Sequence, residues 1–518
     1  MATEPAELME ATESWGPAPW EPVRTPCRFR NPLSKYRVWR NEGKCIQCGK
    51  CVELCPYGVH TKVGKFIRRP KSYLCVGPSC EKNDFFCVAN CPTQALSVRF
   101  HPAYTSLGDS RWPADLLLAT WWMAEFSTLP YSDLEYRTGA SGGGFDKLRF
   151  RFPPRGKDAK LKHEDISLEL ELNRRGDGRP LVTLSVPWYG GGMSFGSVSL
   201  NTILSRLRTA VRYNTLMSTG EGGYPEALYP YDHHVVTQVA TGLFGVREDT
   251  IQRVRMVEFK YAQGAKPGLG GHLLGDKVTP AVARMRESVT GSALFSPFPF
   301  HSVYSVEDHK KHIDWIKEVN PRALVSVKVS TPTDVDMVAV GSYYAGAHVV
   351  QLDGSYGGTG AAPDIAKKNI AMPIEFAIPK VHQFLQQEGI RDQVTLIASG
   401  GIRTAYDVAK AIALGADGVQ IGTADLVALE CLRCHQCESG RGCVRGIATT
   451  DPELVDMMTV EWGTKRVSNM YHAWTWQLKE ILRRFGMRSI RELVGRTDTL
   501  VHLDYYNLPV DDDIRRGA

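Results

Sequence analysis

The chain has 518 residues, room for more than one core-forming unit, and its 43% hydrophobic and 23% charged residues are ordinary for a soluble globular protein. Sixty-two basic against 56 acidic residues give a net charge of +6, without the basic block that would point to nucleic acid. The longest apolar patch, 116–126, is interrupted by Glu125 and too short to span a bilayer, and the opening MATEPAELMEATESW lacks the basic and apolar regions of a signal peptide, so a cytoplasmic protein without a membrane segment is expected.

Residues 1–39 read as an N-terminal extension whose first part is rich in Pro, Glu and Trp. Of the 13 cysteines, eight fall between Cys45 and Cys91, four between Cys431 and Cys443, and Cys27 stands apart. In a reducing compartment such clustering points to metal rather than to disulfides. Cys45, Cys48, Cys51 and Cys55 precede Pro56 as C-x2-C-x2-C-x3-C-P, the bacterial ferredoxin run whose fourth cysteine ligates the other cluster. Cys75, Cys80, Cys87 and Cys91, before Pro92, form a looser second half. Swapped ligation puts Cys45, Cys48, Cys51 and Cys91 on one [4Fe–4S] cluster and Cys75, Cys80, Cys87 and Cys55 on another, zinc ribbons being the other reading. Residues 40–100 are thus expected to be a two-cluster ferredoxin-like domain that carries single electrons.

Residues 101–180 read as a connector: a helical stretch around 113–126, then the polar SGGGFDKLRFRFPPRGKDAKLKHED. Over 181–430, short β-branched runs recur at βα spacing: 181–187, 215–223, 256–264, 293–297, 325–330, 348–363, 395–418 and 419–426. Eight such units close a (β/α)8 TIM barrel, an α/β fold, whose chemistry sits where strands run into helices. Ser399, Gly400 and Gly401 end one run before a helix expected over 403–415, and Gly422 and Thr423 follow the next. Two such turns on successive units make a phosphate site, although each alone reads equally well as a tight turn. The loops GGMSFGS, TGEGG, QGAKPGLGG and GSYGGTGAAP can approach a flat ligand closely, and Lys260, Lys266, Arg286 and Lys328 would set cations over an anionic flavin or a dicarboxylate. Lys266 and Lys328 stand out because charge at a strand end is costly unless used.

Residues 431–518 are expected to form an iron–sulfur loop and a helical, amphipathic tail. Cys431, Cys434, Cys437 and Cys443 stand as C-x2-C-x2-C-x5-C, and four thiolates favour a third cluster of [4Fe–4S] type, with zinc still open. No G-x-G-x-x-G dinucleotide fold following a strand is recognisable.

The segments GGMSFGSVS, STGEGG, EFKYAQGAKPGLGGHLLGDKV, SVKV, GGTGA, SGGIRTAYDVAKAIALGADGVQIGTA and GIATTDPEL resemble the FMN-binding synthase domain of the glutamate synthase family, over about residues 180–500. With a fused ferredoxin module and no amidotransferase domain, the layout is similar to the short, archaeal-type large subunits. The resemblance implies FMN, with Met193 and Ser194 beside the flavin ring, Lys328 at its N1 side, Gly357, Gly358, Thr359 and Gly360 against it, and its phosphate on the backbone of Ser399, Gly400, Gly401, Gly422 and Thr423. It implies that Lys266 and Arg286 hold 2-oxoglutarate, with Lys260, Gln263 and Glu221 in the same mouth. The implied reaction condenses ammonia with the ketone to 2-iminoglutarate and reduces this to L-glutamate, electrons arriving through the clusters. The partners it implies are a separate glutaminase-type subunit and an FAD-containing NAD(P)H-oxidising subunit or a ferredoxin, in an oligomer.

Four features depart from the long enzymes of the family. Their C-x5-C-x4-C, which holds a [3Fe–4S] cluster, is matched by Cys431 and Cys437, with Cys443 one residue late and Cys434 additional. Asn201 stands where they have Glu, and Ser355-Tyr356 where they have His-Asp. Two rival readings follow: a synthase-like enzyme acting on another amine or oxo acid, such as one forming N-methylglutamate, and an electron-transfer subunit whose flavin only relays electrons.

Overall fold

The computed structural model describes residues 21–29, 34–78, 80, 86–130, 144–154, 161–268, 270–296, 300–360 and 362–505. It divides into two compact units, Cys27–Asp109 and Met1–Pro26 with Ser110–Ala518. The break after Asp109 gives the helix Ala114–Phe126 to the second unit, so the expected connector is split. Its polar stretch lies partly outside the described residues, at 141–143 and 155–160. No helix among the described residues is long and apolar enough to cross a membrane.

In the larger unit eight parallel strands close a barrel: β1 Trp188–Gly190, β2 Met217–Ser218, β3 Val235–Ala240, β4 Met256–Lys260, β5 Leu324–Ser330, β6 Val349–Asp353, β7 Thr395–Ser399 and β8 Gly418–Ile421. The final pairings, β8 to β1 and β1 to β2, bring Ile421 beside Gly190 and Gly190 beside Met217. Six strands fall within or beside the expected runs, and two expectations are corrected. The run 181–187 supplies Thr183–Leu184, which pairs antiparallel with Leu170–Glu171 before the chain enters β1. This hairpin plugs the N-terminal mouth, where Leu170, Leu172, Val182 and Leu184 pack on Tyr189, Leu216, Val236, Met256, Leu324, Val349 and Ile397. The run 293–297 contributes one bridge, Leu294 to Leu273, and the missing strand is β3, whose VVTQVA is buried throughout.

Helix caps follow the sequence signals. The Thr404 hydroxyl accepts from the Asp407 N–H at the start of helix Ala405–Leu414, inside the expected 403–415. The tail holds a 26-residue helix, Val460–Phe485, capped by Thr459 and ended by Gly486 at φ 70. It buries Met470 and Trp474 and packs on helix Leu200–Arg212, where the Tyr213 hydroxyl donates to Ser468 O at 2.8 Å.

In the smaller unit, strands Tyr36–Arg40 and Leu96–Phe100 pair antiparallel, and a two-residue-arm hairpin joins Lys62–Val63 to Phe66–Ile67. The core is small: Val38, Val59, Leu96 and Cys87, flanked by Cys51, Cys55, Leu74, Cys75 and Cys91. A unit whose core is rimmed by thiols needs a metal centre to complete it.

Candidate active site

A cavity of about 290 Å3 opens at the C-terminal ends of the barrel strands. The loop after β1 brings Met193 and Ser194, the loop after β2 brings Glu221, and β4 and its loop bring Lys260, Gln263 and Lys266. Helix Pro280–Arg286 supplies Arg286, β5 supplies Lys328, and the loop after β6 supplies Gly357, Gly358, Thr359 and Gly360. Ser399, Gly400, Gly401, Gly422 and Thr423 close the ring after β7 and β8. Every non-cysteine residue expected to hold cofactor or substrate thus lines one cavity.

Glu221, Lys260, Lys266, Arg286 and Lys328 are all buried there, as are Lys277 and Arg433, with Asp353 half-buried and Glu438 exposed at the rim. Lys260 Nζ donates to Glu221 Oε1 at 2.6 Å. Burial alone would raise the Glu221 carboxyl, but its pairing with Lys260 and the charges of Arg286 and Lys328 hold it below its ordinary value. Burial, then the charge of Lys260, brings Lys266 down to about 8. Arg286 Nη2 donates to Ser194 Oγ at 2.8 Å and to Phe195 O at 3.1 Å, which ties it to the Met193-Ser194 loop. A Cβ on Gly222, at φ +98, would stand 2.7 Å from the Arg286 Cζ, so only glycine leaves the guanidinium its place. Deeper in the barrel, burial raises Glu258 against the opposing Lys328, and its carboxylate accepts from Gln238 Nε2 at 2.5 Å and Ser326 Oγ at 3.1 Å.

The site fits a flat, anionic, phosphate-bearing cofactor such as FMN on two observations. First, its walls are backbone: a Cβ on Gly220 would meet the Ser194 N at 2.8 Å, and Gly400 and Gly401 sit at φ +94 and +86, where a side chain is strained. Second, buried polar atoms at the cavity, Arg286 Nε and Nη1, Glu221 Oε2 and Gln420 Nε2, have no hydrogen-bond partner among the described residues. Such atoms demand a polar ligand. The first loop is fixed from behind, where Arg206 bonds Asp425 at 2.9 Å and the Gly191 carbonyl at 2.8 Å.

The cysteine loop reaches the same cavity. Cys431 and Cys437 line it, while Cys434 is exposed and Cys443 lies outside the lining. Lys277 Nζ donates to the Cys437, Ala448 and Ser197 carbonyls at 2.6, 3.0 and 3.2 Å, tying the loop to the barrel mouth. A Cβ on Gly360 would lie 2.8 Å from Cys437 Sγ. Burial raises Cys431 to about 12, with Cys437 and Cys443 adding to it, and Cys437 is raised by burial and then by Cys443 and Cys434. In the smaller unit burial, then Cys75, Cys55, Cys80 and Cys51, pushes Cys87 up to about 12, and Cys51 is raised by burial with Cys45 and Cys48 beside it. Cys55 therefore neighbours Cys75 and Cys87, whereas burial, which would raise the Cys91 thiol, is outweighed by hydrogen bonds from the backbone and Thr93 that lower it. Among the described residues no three His, Cys, Asp or Glu side chains converge on a single-ion position.

Sequence reasoning missed Gln238, Asp353, Gln420, Lys277 and Trp112, all at the cavity. Asp353 accepts from the Gly264 N–H at 2.9 Å and the Ser399 hydroxyl at 2.6 Å, joining three loops. A polar residue near the C-terminal end of an apolar run was the available signal. Of the departures, Tyr356 lines the cavity at φ 65 with the Arg111 guanidinium 4.0 Å above its ring, and Ser355 is fully buried. Asn201 does not line it; its amide donates to Val455 O and Met458 O at 3.3 and 2.8 Å.

A barrel mouth gathering buried cations, in one chain with the ferredoxin cysteine run, places the protein among iron–sulfur oxidoreductases. A profile described as a 4Fe-4S binding domain matches residues 38–59. The profile described as the conserved region in glutamate synthase matches residues 155–488, and the chain belongs to the glutamate synthase family. It is 37% identical over 498 residues to the archaeal-type glutamate synthase [NADPH] of Thermotoga maritima, covering 92% of this chain and 96% of that one. The archaeal glutamate synthase [NADPH] of Methanocaldococcus jannaschii is 37% identical over 486 residues, covering 90% and 94%. With the glutamate synthase [NADPH] large chain of Azospirillum brasilense the match is 37% over 322 residues, 60% of this chain and 21% of that far longer one.

Proposed function

We propose that the chain makes L-glutamate by FMN-dependent reductive amination of 2-oxoglutarate through 2-iminoglutarate, with electrons delivered through three iron–sulfur clusters. The observation that carries this reading is the cavity's excess of cations, Lys260, Lys266, Lys277, Arg286, Lys328 and Arg433 against the carboxylates of Glu221, Asp353 and Glu438, an excess that a dicarboxylate and an anionic flavin would balance. Arg286 and Lys266 clamp the two carboxylates of 2-oxoglutarate, Arg286 through its unpartnered Nε and Nη1. Glu221, ionised beside Lys260, accepts a hydrogen bond from the protonated imine nitrogen and so stabilises the electrophile that is reduced. Gln263 borders the same mouth.

Met193, Ser194, Lys328 and Gly357, Gly358, Thr359 and Gly360 would hold the flavin ring, and the turns at Ser399, Gly400, Gly401, Gly422 and Thr423 its phosphate. Bound FMN supplies the two-electron reduction of the imine and takes its electrons singly. Cys45, Cys48, Cys51 and Cys91 would hold one [4Fe–4S] cluster, Cys75, Cys80, Cys87 and Cys55 a second, and Cys431, Cys434, Cys437 and Cys443 a third, of [4Fe–4S] or [3Fe–4S] type. The neighbours of Cys55 support the swapped pattern. Ammonia would come from a separate glutaminase-type subunit and electrons from an FAD-containing NAD(P)H-oxidising subunit or a ferredoxin, within a cytoplasmic oligomer. Incubating the purified chain with dithionite, 2-oxoglutarate and ammonium tests the reading: glutamate should form, and free glutamine should not replace ammonium. Glutamine-dependent synthesis by the isolated chain contradicts the assignment of ammonia supply to a separate subunit.

A further inference from the structure

The charge of the chain is unevenly shared. Residues 27–109 hold 14 Lys and Arg against five Asp and Glu, a net +9, which leaves the rest of the chain at −3. Two oxidised cubanes, each about −2 with its four thiolates, would still leave the small unit about +5.

Part of that charge frames an exposed apolar face beside the first cysteine run. The hairpin that pairs Lys62 with Ile67 and Val63 with Phe66 turns at Gly64, φ 59, and leaves Val63 and Phe66 51% and 73% exposed. The Ile67 N–H donates to Gln47 Oε1 at 2.8 Å, and Arg40 Nη2 donates to Ile67 O at 2.6 Å. These bonds fix the hairpin against the Cys45–Cys51 turn, whose Ile46 is 65% exposed. Cys48 is the exposed thiol of that turn. Lys44, Lys50, Lys62, Lys65, Arg68 and Arg69 are all exposed around it, with Glu42 and Glu53 as the acidic residues of 41–70. An apolar spot ringed by one sign of charge at an exposed redox ligand is the form of a transient electron-transfer contact, small in area and steered by charge.

We propose that this hairpin face is the electron entry port, and that its partner is a one-electron carrier protein with an acidic surface around its own redox centre. The proposal rests on the cluster assignment given above. Each encounter oxidises the reduced carrier by one electron and reduces the cluster at Cys45, Cys48 and Cys51 by one; no bond forms or breaks and no proton moves.

Anaerobic stopped-flow mixing of the full-length holoprotein with a reduced acidic two-cluster ferredoxin tests it. The second-order rate constant should fall about tenfold or more between about 20 mM and about 300 mM salt. Lys62→Glu with Lys65→Glu should lower it about tenfold at low salt, and Lys62→Arg with Lys65→Arg should leave it at the wild-type value. Phe66→Ala should slow transfer at all salt concentrations. Reduction by dithionite, which needs no docking, should be the same in every variant. Wild-type rates in the charge-reversed protein, or rates that rise with salt, overturn the port. A holoprotein with no dithionite-reducible cluster overturns the cluster assignment itself.

Discussion

Replacing Arg286 with lysine isolates the shape of one side chain, because the charge is kept. Arg286 is 2% exposed, and its Nη2 is occupied by Ser194 Oγ at 2.8 Å and Phe195 O at 3.1 Å. A lysine ammonium can reach that position, but it has nothing to replace Nε and Nη1, the donors without a partner among the described residues. If they serve a substrate carboxylate, the variant loses one to two charge-assisted hydrogen bonds while keeping a point charge. Counting one such bond, at about 1.5–3 kcal/mol, kcat/KM for 2-oxoglutarate should fall by about 10- to 150-fold. Gly222→Ala makes an independent test, because its Cβ would displace the same guanidinium from 2.7 Å. Initial rates of glutamate formation with a dithionite-reduced mediator, at saturating ammonium, give the constants, and flavin absorbance and circular dichroism check that cofactor and fold are retained. A kcat/KM within about twofold of wild type in both variants would falsify the carboxylate role of Arg286.

Three further outcomes follow from the same site. Lys266 is held at about 8, so binding that needs its charge should weaken as pH rises through about 8; the alkaline limb of kcat/KM for 2-oxoglutarate should move up in Lys266→Arg and vanish in Lys266→Gln. Gly401 sits at φ +86, so Gly401→Val adds about 1–2 kcal/mol of backbone strain at the phosphate turn and should lower FMN content, measured as flavin released on denaturation; full retention argues against that turn as the phosphate site. Anaerobically purified protein should carry about twelve iron atoms per chain, and Cys55→Ser should alter the electron paramagnetic resonance of one cluster while leaving a [4Fe–4S] signal from the other; loss confined to the Cys45 group would reverse the swapped ligation.

How much was legible depended on where each element gets its stability. β5, β6 and β7 are β-branched runs that end in Gly or Ser turns, so sequence alone locates them. β3 was missed, although TGLFG marks its end, because VVTQVA runs straight on from the 3-10 stretch Glu226–His234 with no turn to mark its start. The opposite error arose at 181–187, where an alternating run packs as a plug under the barrel; nothing local separates the two uses of such a run. The charged mouth could be read from Lys266, Lys328 and the family motifs. Gln238, Gln420 and Asp353 carried only the weak signal of a polar residue late in an apolar run, since their role comes from neighbours on other strands, as in the Gln351 Nε2 to Gln420 Oε1 bond of 2.6 Å. Lys277 belongs to the same class: three backbone carbonyls far apart in sequence give it its place.

The central claim, that one cavity joins electron delivery to imine reduction, is tested most directly by the anaerobic reoxidation of the reduced protein. Flavin and clusters are first reduced with a limiting amount of dithionite, and 2-oxoglutarate and ammonium are then added together and separately. Reoxidation should follow only when both are present, with one glutamate formed for each two electrons lost. Reduced flavin that persists with both substrates present contradicts the account and leaves the chain an electron relay, or an enzyme for a different oxo acid.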